Sequence, residues 1–98
     1  MIEVRQTAVF RDWLAGLADA RAVERIAQRI VRLRGGLFGD AKPVGGGVSE
    51  LRIDYGPGYR VYFARRGGAI VVLLCGGDKR RQARDIKAAI ALAAKIED

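Results

Sequence analysis

The 98-residue sequence has no histidine, one cysteine, one methionine and one tryptophan, and its 11 acidic residues are outnumbered by 18 lysines and arginines. Each shortage closes off a class of function. Without histidine the chain lacks the usual general base near neutral pH and the commonest zinc ligand, so neither a serine triad nor a histidine-based metal hydrolase can be built from it. A lone Cys75 forms neither an internal disulfide nor a multi-thiolate metal site, which agrees with a reducing compartment. The expectation is no metal and no cofactor. The longest apolar run, Ala69 to Cys75, is seven residues, far short of the roughly 20 a spanning helix needs. The N-terminus, MIEVRQTAVF, lacks the basic-then-apolar order of a signal peptide. A cytoplasmic protein with no membrane partner is expected.

What is present argues for a folded domain. Half the residues are hydrophobic and 30% are charged, too apolar for a disordered basic tail, and the length suits one domain over residues 1–98. A formal charge of +7 on so small a surface favours polyanionic partners: nucleic acid, ribosomes or an acidic protein.

Periodicity supplies the elements. Ile2 and Val4 alternate with charged residues as in a strand. Thr7 can cap a short helix carrying Phe10, Trp13, Leu14 and Leu17, and Asp19 a second with a stripe of Val23, Ile26, Ala27, Ile30 and Leu33 that ends at Gly35-Gly36. After a glycine-rich connection, Gly35 to Gly47, three strands are predicted at Val48–Asp54, Tyr59–Arg65 and Ala69–Cys75, in an antiparallel meander. Leu51, Ile53, Val61 and Phe63 are expected in the core; Glu50, Arg52, Asp54, Arg60 and Tyr62 on the opposite face, with Leu51 opposite Phe63, Arg52 opposite Tyr62 and Asp54 opposite Arg60. Gly76-Gly77 should break the third strand and Asp78 cap a final helix with Ile86, Ala89, Ile90, Ala93 and Ile96 on its apolar side. The expected class is α+β: an N-terminal strand and helical hairpin packed on a small antiparallel sheet, then a C-terminal helix, with the helices on one face.

Between Arg60 and Arg84 seven basic residues accompany one acid, Asp78, so the charge is concentrated in sequence. A basic sheet face with tyrosines among its arginines suits single-stranded RNA: guanidinium for phosphate, aromatic rings for bases. Plainer roles compete with this. Arg60 facing Asp54 is an ordinary cross-strand ion pair. The row Arg21, Arg25, Arg29 and Arg32 is a solvated helix face. Gly76-Gly77-Asp78-Lys79 lacks Walker A spacing. Phe10 and Trp13 read as core, Cys75 as buried filler, and Tyr55-Gly-Pro-Gly58 as a turn.

The blocks LRIDYGPGYRVYF (Leu51 to Phe63) and VVLLCGGDKRRQARDI (Val71 to Ile86) resemble addiction-module killer proteins of the RelE/ParE superfamily, specifically the HigB-like branch related to phage Gp49. The resemblance extends over essentially the whole chain. It implies the toxin of a type II toxin–antitoxin pair with a helix-turn-helix antitoxin, cutting mRNA in the ribosomal A site without metal by attack of the ribose 2′-hydroxyl on the adjacent phosphate. By the same resemblance, Arg60 stabilises the transition state, Arg52 supports the same phosphate, Lys79 transfers protons, and Arg80, Arg81 and Arg84, with Tyr62, hold RNA. Some relatives use a histidine that this chain lacks, leaving Lys79, Asp78, Tyr62 or the ribosome itself to handle the 2′-proton. A ParE-like DNA gyrase inhibitor with no hydrolytic activity is the alternative, since it shares the fold; a binding module with no toxicity is a third.

Overall fold

A computed structural model describes residues 1–96; the last two residues of the predicted domain lie outside the described residues. Strand β1 (Glu3–Gln6) leads into helices α1 (Ala8–Ala15) and α2 (Ala20–Arg34). Four strands follow, β2 (Ala41–Gly45), β3 (Val48–Ile53), β4 (Tyr59–Arg66) and β5 (Ile70–Asp78), then a 3₁₀ turn at Lys79–Arg81 and helix α3 (Gln82–Ala94). They form one five-stranded sheet in the order β1-β5-β4-β3-β2, antiparallel except that β1 runs parallel to β5. The expected α+β class and its element types hold.

The two N-terminal caps are those the sequence predicts. Thr7 Oγ1 accepts from Phe10 N and donates to Leu74 O, fixing α1 to β5, and Asp19 accepts from Arg21 N and Ala22 N. Phe10, Ile26, Ile30 and Leu33 then pack on Leu51, Ile53, Val61, Phe63, Val71 and Leu73 to make one core. Ala22 takes the stripe position expected of Ala27, which is exposed.

Four features differ from expectation. The glycine-rich connection contains an edge strand, β2, whose Pro43 and glycines hide it from any β propensity; proline is tolerated at an edge because a central ladder does not need its missing N–H. Helices cover both faces of the sheet. α3 packs on Val48, Tyr62, Ala64, Val72, Leu74 and Cys75, a second core that exists because only one end of that face is polar. The β3–β4 register is displaced by two residues, pairing Leu51 with Val61, Arg52 with Arg60 and Ile53 with Tyr59. The even displacement keeps every side chain on its predicted face. Finally, β5 runs through Gly76-Gly77 instead of ending there. A Cβ at Gly76 would overlap the Trp13 ring and one at Gly77 the Asp85 carboxylate, so these glycines permit close approach of α1 and α3. A bulge opposite Tyr62–Phe63 turns both Leu74 and Cys75 toward α3.

A candidate anion site at the end of the sheet

Strand alternation puts Glu50 and Arg52 on the α3 face of β3, and the observed register sets Arg52 directly across from Arg60 on β4. Two like charges in that position repel. The conflict is resolved by Glu50, whose side chain is completely buried: Arg52 Nε donates to its Oε1 at 2.9 Å and Arg60 Nε lies 3.6 Å from the same oxygen. Tyr62 Oη and Gln82 Nε2 donate to Oε2 at 3.1 and 2.9 Å. Burial alone would push the Glu50 carboxyl up, but hydrogen bonds from Arg52, Gln82 and Tyr62, with the charge of Arg60, outweigh it and hold the carboxyl below its usual value. One carboxylate thus serves two guanidinium groups, and the pair keeps a net positive charge.

That charge faces a hollow of about 240 Å³ lined by Asp40, Arg52, Asp54, Gly58, Arg60 and Lys79. The turn after β3 completes it. Gly58 has φ of +84°, a conformation that favours glycine, and its Cα lies beside Lys79 and Arg60, so the turn brings the backbone up to both cations. Lys79 arrives from the other direction: Tyr59 pairs with Asp78, and Asp78 Oδ1 accepts from Arg80 N to open the 3₁₀ turn. Asp78 therefore caps this turn, with α3 beginning immediately afterwards. Three of the residues named from sequence, Arg52, Arg60 and Lys79, meet in one place. Only 8% of Arg60 is exposed, whereas Lys79 is open to solvent.

The other named residues fall elsewhere. Tyr62 is wholly buried beneath α3, with its hydroxyl donating to Glu50, so it offers no ring face to a nucleobase. Burial and the Glu50 charge drive its phenol far above the ordinary value of 10, which removes it as a base for a 2′-proton. Arg80 and Arg84 are exposed and do not line the hollow, and Arg81 lines a second cleft against α1. Asp54 does not face Arg60 across the strands, yet it lies on the hollow's rim. Sequence reasoning missed Glu50, Asp40 and Gly58. The signal for Glu50 was available: an acid flanked by Val48 and Arg52 on the same strand face, with three cations to be neutralised nearby.

The arginine row of α2 is partly structural as well. Arg29 Nη1 donates to Arg52 O and Nη2 to Phe38 O, tying α2 to β3, and Arg25 lies 4.9 Å over the Tyr55 ring. Among the described residues no cluster of three or more acidic, cysteine or histidine side chains is placed to hold a metal ion, and no helix is long and apolar enough to cross a membrane.

The hollow combines convergent cations, adjacent carboxylates and a glycine turn, an arrangement able to hold a phosphate group and move protons around it. Comparison with known proteins agrees on kinship and names no activity. The chain is 50% identical over 95 residues to an uncharacterized protein of Haemophilus influenzae, covering 97% of this chain and 96% of the relative. The model of the family described as Phage derived protein Gp49-like (DUF891) matches residues 13–96, which include every residue of the hollow and all of α2 and α3, and the chain belongs to that family.

Proposed function

We propose that this protein is the toxin of a type II toxin–antitoxin pair, a HigB-like member of the RelE/ParE superfamily that acts in the cytoplasm as a ribosome-dependent mRNA endonuclease. The observation that carries the reading is the convergence of Arg52, Arg60 and Lys79 on one hollow, two of them held by the buried Glu50. In the proposed reaction the 2′-hydroxyl gives up its proton, O2′ bonds to the adjacent phosphorus, and the bond from phosphorus to O5′ breaks. A 2′,3′-cyclic phosphate and a 5′-hydroxyl result. Arg60 and Arg52 offset the charge that builds on the non-bridging oxygens. Asp40 and Asp54, which both line the hollow, are the carboxylates available to the 2′-proton, and Lys79 donates to the leaving O5′. No histidine is required by this division of labour. A helix-turn-helix antitoxin with an acidic surface would cover the hollow, and its affinity should fall as salt rises.

The test is inducible expression followed by mapping of mRNA 5′ ends on translating ribosomes, with a gyrase supercoiling assay alongside. Codon-periodic cuts are expected, and Arg60→Ala should slow them by about 10²–10³-fold, the usual effect of removing one transition-state donor. Intact mRNA with blocked supercoiling would overturn the nuclease in favour of a gyrase inhibitor. Intact mRNA with normal supercoiling would overturn both activities.

A further inference from the structure

The arginine row of α2 is only partly used by the fold. Arg29 ties the helix to β3, but Arg21, Arg25, Gln28 and Arg32 stand at i, i+4, i+7 and i+11 and share one face, about 16 Å long at 1.5 Å per residue. Arg21 with Arg25 and Arg25 with Arg29 are like-charge pairs at i, i+4, which weaken a helix. Among the described residues no carboxylate comes within ion-pairing distance of Arg21, Arg25 or Arg32, so no ion pair in the fold offsets that repulsion.

These side chains line concavities that join. One of about 460 Å³ has Arg21, Glu24, Arg25 and Gln28 as its walls. A narrower one of about 170 Å³ shares Arg25 and Gln28 with it and adds Arg29, Arg32, Ile53 and Asp54. Asp54 is in turn a wall of the hollow. The shared walls make a continuous groove from the hollow toward the N-terminus of α2, with four arginines against Glu24 and Asp54. A polyanionic chain leaving the hollow finds less elsewhere. The cleft beside Trp13 has Arg81 as its one cation against Asp78 and Asp85. A positively charged groove that tracks the backbone is how proteins hold single strands.

The order of charges gives the path a direction. Across the sheet end Lys79 follows β5, Arg60 lies near the start of β4 and Asp54 follows β3, where the α2 groove begins. Cations, a carboxylate and cations again match phosphate, ribose hydroxyl and phosphate along one strand. In the proposed reaction the hydroxyl that loses its proton belongs to the ribose on the 5′ side of the scissile phosphate, and the oxygen that leaves is on the 3′ side. With the first at Asp54 and the second at Lys79, the 5′ part of the chain enters the groove. Asp40, the hollow's other carboxylate, is not a wall of the groove.

We infer that the groove along α2 holds the 5′-flanking part of the single-stranded RNA whose phosphate occupies the hollow, with Arg25 and Arg32 on the phosphates next to the ribose at Asp54 and Arg21 on one farther upstream. The inference rests on the proposed reading of the hollow as an RNA phosphate site.

The full chain is titrated with uridine oligonucleotides of one to four residues ending in a 3′-phosphate, whose dianion favours the hollow. Affinity should rise with length, and the slope of log affinity against log salt should steepen by about 0.7 per phosphate neutralised. Arg25→Ala and Arg32→Ala should each weaken the tetranucleotide about fivefold. Arg25 stacks over Tyr55, so the exposed Arg32 keeps the test open if the Arg25 variant melts early. Arg34→Ala removes the same charge from an exposed α2 position that lines neither concavity, and should change nothing. 4-Thiouridine at the 5′ end of the 3′-phosphorylated tetranucleotide should photocross-link to residues 21–32; at the 3′ end of a 5′-phosphorylated one it should not. Affinity that does not change with length, equal losses in Arg32→Ala and Arg34→Ala, or a cross-link to α2 from the 3′ end overturns the path. If the length gain and the cross-link appear but expressed protein leaves mRNA intact, the path stands as RNA binding and the nuclease reading falls. If mRNA is cut in an Arg60-dependent way and affinity does not change with length, the nuclease reading stands and the path falls.

Discussion

Glu50 is the residue on which both stability and the candidate site depend. Removing one member of a buried charge group leaves the others uncompensated, at a cost of about 3–5 kcal/mol. Here those others are the Arg52 and Arg60 guanidinium groups. Glu50→Gln should therefore destabilise strongly and also loosen the hollow. Its pH signature is specific. Because the carboxyl is held below its ordinary value of 4.5, the folded state keeps it ionised further into acid than the unfolded chain does. The stabilisation is complete above that ordinary value and is lost as pH falls through the lower folded one. Thermal melts should show the Tm of the native protein dropping below about pH 4.5, with a smaller drop in Glu50→Gln; parallel curves would mean that other carboxylates dominate. Cys75 gives a second check at this scale. Burial, helped by the charge of Asp85, pushes its thiol up to about 11, and only 6% of the residue is exposed. A disulfide reagent at pH 8 should leave the folded protein unlabelled and label it promptly in denaturant. Rapid labelling of the native state would contradict the packing of α3 on β5.

At the scale of elements, the Gly76-Gly77 pair sets how closely α1 and α3 approach β5. Gly76→Ala must displace the Trp13 ring and Gly77→Ala the Asp85 carboxylate. Overpacking of this kind costs about 1–3 kcal/mol, and for a domain of this size each kcal/mol lowers Tm by about 4–8 °C. An unchanged Tm in both variants would show that the strand does not continue to Asp78. The same pair illustrates what was legible beforehand. Helix positions, caps and the two faces of β3 and β4 follow from hydrophobic period and capping residues such as Thr7 and Asp19, which are local signals. Strand β2, the extension of β5 and the displaced register are set by tertiary contacts. Pro43 is allowed by an edge and Gly76 by an indole far away in sequence, while the Ile53–Tyr59 pairing depends on a five-residue turn with positive φ at Gly56 and Gly58.

For the whole molecule, the decisive change concerns where the charge goes. The seven basic residues between Arg60 and Arg84 share one stretch of sequence but divide between the two ends of β4. Arg66 donates to Ala93 O at the end of α3, and Arg65 lies 3.9 Å over the Phe38 ring. At about 3.3 Å per residue these two are roughly 15–20 Å from Arg60. Arg60, Lys79, Arg80, Arg81 and Arg84 stay together where β4 begins and β5 ends. The composition leads to the proposal of a polyanionic partner, and the topology decides which cations could touch the same strand of the proposed RNA. Salt dependence separates the two groups. For a single-stranded RNA the slope of log affinity against log salt is about −0.7 per phosphate neutralised, so three contacts at the hollow give a slope of about −2. Arg60→Ala or Lys79→Ala should each reduce that slope by about 0.7 in magnitude, and Arg65→Ala should leave it as it was. Equal losses from Arg60 and Arg65 would mean that the RNA spreads along the strand, held by net charge with no preference for the end that carries Glu50 and its two arginines.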